Sequence, residues 1–188
     1  MLCDLANLST DLHQPAHMAL AEHWLDLFYG ESRQIPGLQA IDPIRLGRHL
    51  PDICILDHED GDVFRFRLAG ETVIELYGRD VRRLRLDEVA PQPSFDRYRA
   101  LAHMILERPA GLLHGLSGMI AAWNYSVAFE RLSLPLLGRD GRIRHIISAT
   151  VARRQDDDRV TAEYQHIYAI PLRRSAGEAP AQHRPPAY

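Results

Sequence analysis

ICILDHEDGDVFRFRLAG, residues 53–70, and SLPLLGRDGRIRHIISATVA, residues 133–152, decide the fold. Each sets Asp-Gly, at 60–61 and 140–141, between two strand-like runs. Asp and Gly tolerate the positive φ of a tight hairpin, so two antiparallel hairpins are expected. In the first, Phe64, Phe66 and Leu68 alternate with Arg65 and Arg67, the period of a strand with one buried and one wet face. In the second, Tyr125, Val127 and Phe129 keep one phase while Leu132, Leu134 and Leu136 keep the other. A slip near Glu130 and Arg131 would reverse the buried face, so either a β-bulge falls there or both faces of the strand are covered. LLHGLSGMI at 112–120 is a fifth strand candidate, loosened by Gly115 and Gly118.

Between the hairpins the period becomes helical. Residues 71–77 read as a short helix stopped by Gly78. Residues 94–108 read as a longer one, with Ser94 as N-cap and Pro109 ending it. On its wheel Phe95, Tyr98, Leu101, Ala102 and Ile105 converge on one side, while His103 shares the opposite side with Arg99 and Glu107 and should face solvent. Upstream, Pro15 suits a first helical turn and Gly30 an end; Met18, Ala21, Trp24, Leu25 and Phe28 form an apolar stripe between them. The expected organisation is a flexible arm at 1–14, an N-terminal helix at 15–34, a domain at 35–155, an extension at 156–172 and a disordered Pro-rich tail at 173–188. Strands, helices, then strands make an α+β domain with helices on one face of an antiparallel sheet.

The chain has 188 residues, 46% hydrophobic and 25% charged, enough for one ordinary core. No apolar run approaches the roughly 18 residues of a membrane span, and the start carries Asp4 and Asp11 in place of a basic secretory n-region. A cytoplasmic location is expected, without membrane contact. A net charge of −3 argues against a nucleic-acid partner. All 22 basic residues are arginine, which excludes Schiff-base and P-loop lysine chemistry. Cys3 and Cys54 form no disulfide framework, and Cys54, in the apolar run ICIL, reads as a small core hydrophobe.

The order of elements resembles the PAS fold, and more closely a bacterial family of short stand-alone PAS-like domains. The likeness rests on Trp24, Pro36, Asp42-Pro43, Leu50-Pro51, Phe66-Arg67-Leu68-Ala69-Gly70, Tyr77-Gly78-Arg79 and Leu134-Pro135-Leu136, across about residues 20–155. Val81-Arg82-Arg83 stands where that family usually has Thr-Gly. The resemblance implies a five-stranded antiparallel sheet cradling helices over a small cavity, with an N-terminal amphipathic helix that can dimerise. It also implies a sensory or interaction module that reports to a separate regulatory protein.

Tyr77, Tyr98, Trp123, Tyr125 and Phe129 would face one another across such a cavity and are the candidate ligand contacts, with core packing as their alternative role. Trp24 and Phe28 are candidate dimer or sheet-capping contacts. Arg82 and Arg83, in a cluster with Arg79 and Arg85, are candidates for an acidic partner face. His103 and His114 are considered as haem ligands and disfavoured, the first by its wheel position and the second as a strand histidine with a satisfied hydrogen bond. Covalent flavin chemistry is rejected for want of a reactive cysteine in an Asn-Cys-Arg segment. His13 and His17 are four apart but lack a metalloprotease frame and read as solvated, so no metal is assigned. Ser117 lacks a nucleophile-elbow frame and no carboxylate pair stands out, so no enzyme is expected. The expected function is a signalling module that senses a small ligand or mediates regulatory contacts as a homodimer. The alternatives are a ligand-free adaptor and, last, an uncharacterised enzyme.

Overall fold

Both Asp-Gly pairs close hairpins, with Gly61 at φ 77° and Gly141 at φ 72°, and Asp62 joins the first turn at φ 62°. The computed structural model describes residues 2–4, 8, 12–30, 34–90, 94–107, 110–120, 125–153 and 164–170. In chain order the elements are β1 (Leu2–Asp4), α1 (Pro15–Gly30), α2 (Pro43–Leu46), β2 (Ile53–Glu59), β3 (Val63–Ala69), α3 (Glu71–Tyr77), α4 (Leu86–Val89), α5 (Ser94–Glu107), β4 (Ala110–Ile120), β5 (Tyr125–Leu137), β6 (Ile143–Arg153) and β7 (Tyr164–Ala169). Ser94 opens α5 as its first residue instead of preceding it. The tail at 173–188 lies outside the described residues.

The sheet runs β1-β7-β4-β5-β6-β2-β3. Its five strands from β4 to β3 are the antiparallel sheet expected from sequence. Two more extend it: β7 pairs antiparallel with β4, and β1 pairs parallel with β7. The expected arm and C-terminal extension thus each supply a strand at this end of the sheet, with β1 at the edge and β7 between it and β4.

The helices between the hairpins cover one face, as expected, and the N-terminal helix α1 covers the other. On one face α1 buries Leu20, Trp24 and Phe28 against Ile147 and the β5 residues Leu132, Leu134 and Leu136. On the other, α3, α4 and α5 bury Val73, Leu86, Ala102 and Ile105 against Phe64, Phe66 and Ile146. This layering explains the phase change in β5. Its register with β6 runs unbroken from Ala128 to Leu136 and shifts only at Leu136/Leu137, so no bulge falls at Glu130 and Arg131. Both faces are covered, and both of those charged residues are buried, at 7% and 6% exposure.

Trp24 stacks on Phe28 at 5.2 Å, and its Nε1 donates to the Pro135 carbonyl at 2.9 Å. Both rings are fully buried in their own chain, so they cap the sheet and offer nothing to a partner. The buried stripe of α1 runs through His17, Leu20, Ala21, Trp24 and Phe28, about one position away from Met18, which is 38% exposed. His17 therefore departs from the expected solvated position. It is fully buried, with Nδ1 3.1 Å from Glu130 Oε1 on β5, whereas His13 is exposed.

His23 ties α1 to the Asp42-Pro43 turn, its Nε2 accepting from the Asp42 N–H at 2.9 Å. Burial, helped by Arg45 and opposed by Asp42 and Asp26, holds its pKa below the ordinary value of 6.5. The unfolded chain then binds a proton more readily than the folded one, so this site loses stability as pH falls through about 6.5. Urea unfolding at pH 7.5 and 5.5 should show a smaller pH-dependent loss in His23→Gln than in the parent. An identical loss in both would remove His23 from the acid response.

Candidate functional site

A cavity lies between α5 and the inner face of the sheet. Tyr98, Leu101, Ala102 and Ile105 of α5, with Leu86 of α4, form its roof, and Leu56, Ile146, Arg131, Ser133 and Ser148 form its floor. Its volume is about 30 Å³, room for about two water molecules. The floor follows from strand register: Ser148 sits opposite both Cys54 and Ser133, and Thr150 sits opposite Arg131 one pleat along.

Arg131 is the charged group of this floor. Its Nε donates to Thr150 Oγ1 at 2.8 Å, and its guanidinium lies over the rings of Phe129 and Tyr98, at 5.3 and 5.7 Å. Ser133 and Ser148 share a hydrogen bond at 2.8 Å. The Tyr77 hydroxyl is buried near Arg131 with no hydrogen-bond partner of good geometry among the described residues. Burial pushes the Tyr77 and Tyr98 phenols and the Cys54 thiol up from their ordinary values, so all three are neutral at pH 7. The arrangement is a small, mostly apolar chamber lined by one cation, two hydroxyls and one phenol, with the Tyr77 phenol close to the cation. It can bind and orient a polar group. It contains no nucleophile paired with a base.

A family model described as PAS domain matches residues 12–151. The chain belongs to the PAS family. No curated protein sequence matches it. Among solved structures, this PAS chain is similar to VqmA bound to DPO (16% identity, TM-score 0.48), covering 60% of its own length and 57% of that chain. It is also similar to the Rhodobacter sphaeroides LOV protein (12% identity, TM-score 0.46), covering 64% of its own length and 73% of that chain. A third is the PAS domain from Bordetella pertussis BvgS (15% identity, TM-score 0.42), with coverages of 62% and 90%.

Of the aromatic residues proposed from sequence, the PAS fold brings Tyr77, Tyr98 and Phe129 together around Arg131. Trp123 and the side chain of Tyr125 lie outside the described residues. Sequence reading missed Arg131, Ser133 and Ser148. The signal was present: with Leu132, Leu134 and Leu136 buried on one face, polar residues at 131 and 133 must point to the other, where a cavity needs them.

His103 is half-buried instead of solvated. Asp62, carried upward by its positive φ, accepts from His103 Nε2 at 2.7 Å, and the imidazole stands edge-on to Phe64 at 5.6 Å. It braces α5 against the first hairpin and does not line the cavity. His114 pairs in register with Arg131 on the adjacent strand. Haem and flavin are far larger than the cavity, and Cys54 does not line it; neither group fits the described residues. Those residues contain no cluster of three or more His, Cys, Asp or Glu able to hold a metal, and no helix among them is long and apolar enough to cross a membrane.

Arg82 and Arg83 are exposed on the turn after α3. Asp80 binds the Arg82 guanidinium at 2.5 Å, and that pairing lowers the Asp80 carboxyl to about 2. Arg79 donates to the Glu88 carbonyl at 2.6 Å, and Arg85 pairs with Asp87. Much of the apparent arginine cluster is thus matched locally by carboxylates and a carbonyl.

Proposed function

We propose that this chain is a cytoplasmic sensory module that acts by binding, not catalysis. A small ligand enters the cavity beneath α5, and a separate regulatory protein reads its occupancy, contacted through the exposed Arg82-Arg83 turn. The observation that carries this reading is a buried arginine lining a partly apolar chamber in a PAS fold, a place where structural economy alone favours an apolar side chain. A homodimer is part of the proposal. Met18 and Tyr29 of α1 are 38% and 47% exposed, and Ile44 of α2 is 87% exposed, while α2 is tied to α1 by the Arg45–Asp26 pair at 2.5 Å.

The test is a native mass spectrum of freshly purified full-length protein, with an absorption spectrum beside it. The expected result is a dimer carrying excess mass that denaturation removes, and a monomer for Ile44→Asp. A clean apo mass would favour the adaptor reading, which the small cavity volume also supports. In that case charge reversal at Arg82 and Arg83 should abolish partner capture. A monomeric parent chain would remove the dimer.

A further inference from the structure

β5 carries two consecutive charged residues to opposite faces of the sheet. Glu130 meets His17 of α1 at 3.1 Å, and Arg131 enters the cavity. Because neighbouring strand residues point opposite ways, the nearest carboxylate in sequence cannot neutralise this guanidinium. Among the described residues no carboxylate lies within ion-pair distance of Arg131. Thr150, Ser133, Ser148, Tyr77, Tyr98 and Cys54 surround it, all neutral. Burying a cation without a counter-charge costs several kcal/mol. Nε is committed to Thr150, which leaves the terminal Nη edge, the part of arginine that matches two carboxylate oxygens.

We infer that Arg131 anchors a site for a small monocarboxylate, held by the Nη edge and flanked by the hydroxyls of Ser133 and Ser148. One buried positive charge is balanced by a monoanion; a dianion would leave a buried negative charge in its place. A volume of about 30 Å³ suits an anion of the size of formate or acetate, with Tyr98 and Ala102 of α5 lining one side. The assignment rests on the ligand-binding reading of the cavity and names the class of ligand.

The experiment is a titration of the full-length protein followed by ¹H–¹⁵N correlation spectra. Sodium acetate and sodium formate are the probes, acetamide is the neutral isostere, and sodium sulfate holds the ionic strength constant. Saturable shifts of the Ser133, Ser148 and Thr150 amides are expected with the carboxylates, at least tenfold weaker with acetamide and absent in Arg131→Met. Methionine keeps the bulk and removes the buried charge. Should that variant fail to fold, Ser148→Ala should weaken acetate binding severalfold. Equal binding of acetamide, or acetate binding unchanged in the variants, would overturn the anion assignment while leaving a ligand-binding cavity. No saturable shift with any probe would also overturn it, and the native mass spectrum then decides separately whether another ligand occupies the site.

Discussion

Trp24→Ala should lower the stability of the full chain by about 3–5 kcal/mol. The ring is completely buried, stacked on Phe28 and wedged between α1 and β5. Its removal leaves a cavity and strips the Pro135 carbonyl of its indole donor, orphaning a buried acceptor. The measurement is urea unfolding followed by far-UV circular dichroism, because loss of an indole alters fluorescence in its own right. At a slope of about 2 kcal/mol per molar, the midpoint should fall by about 2 M. Trp24→Phe keeps most of the apolar area and loses only the hydrogen bond, so it should lose less than half as much. A loss under about 1 kcal/mol for the alanine variant would mean that α1 does not dock on the sheet in solution, and the account of β5 as a doubly covered strand would fail with it.

The parts of this fold legible in the sequence are those where local chemistry and tertiary demand coincide. Asp60-Gly61 and Asp140-Gly141 need positive φ and sit between alternating runs, so their turns can be read without knowing what packs on them. Pro15 and Gly30 bracket α1 for similarly local reasons. The β1 and β7 strands were hidden because their pairing depends on the strand already in place: Tyr164–Ala169 becomes a strand by meeting β4, and Leu2–Asp4 by meeting β7. His17 was misplaced because its burial depends on Glu130, more than a hundred residues away. Arg131 was read as a break in a pattern when it was the point of the pattern. A residue that interrupts an apolar strand without interrupting its register has been sent somewhere, and here that place is a cavity.

Gly70→Ala should cost about 3 kcal/mol, for a steric reason that the sequence motif Phe66-Arg67-Leu68-Ala69-Gly70 does not disclose. Gly70 has φ −74° and ψ 170°, which any residue can adopt, so no backbone strain is relieved by glycine here. Space is what decides. An added Cβ would lie 2.2 Å from the Pro51 carbonyl oxygen and 2.5 Å from that of Leu50. Neither oxygen can swing aside as a side chain would. Leu50 O accepts from the Ile53 N–H at the end of the Gly47–Asp52 turn, and Gly70 itself donates to Ile53 O at 2.8 Å. Thr72 Oγ1, donating to Asp52 at 2.7 Å, clamps α3 to the same turn from the other side. Relief therefore means moving α3 away from the start of β2, and α3 carries Val73 into the core and Tyr77 beside Arg131. Thermal unfolding should drop by about 6–12 °C in a chain of this size. Gly30→Ala, whose Cβ would meet nothing within 4 Å, is the matched control and should change stability by no more than about 0.5 kcal/mol. If the two variants were equally stable, the close approach of α3 to the Leu50-Pro51 turn would be wrong, and Tyr77 could not be held beside the cavity by this route.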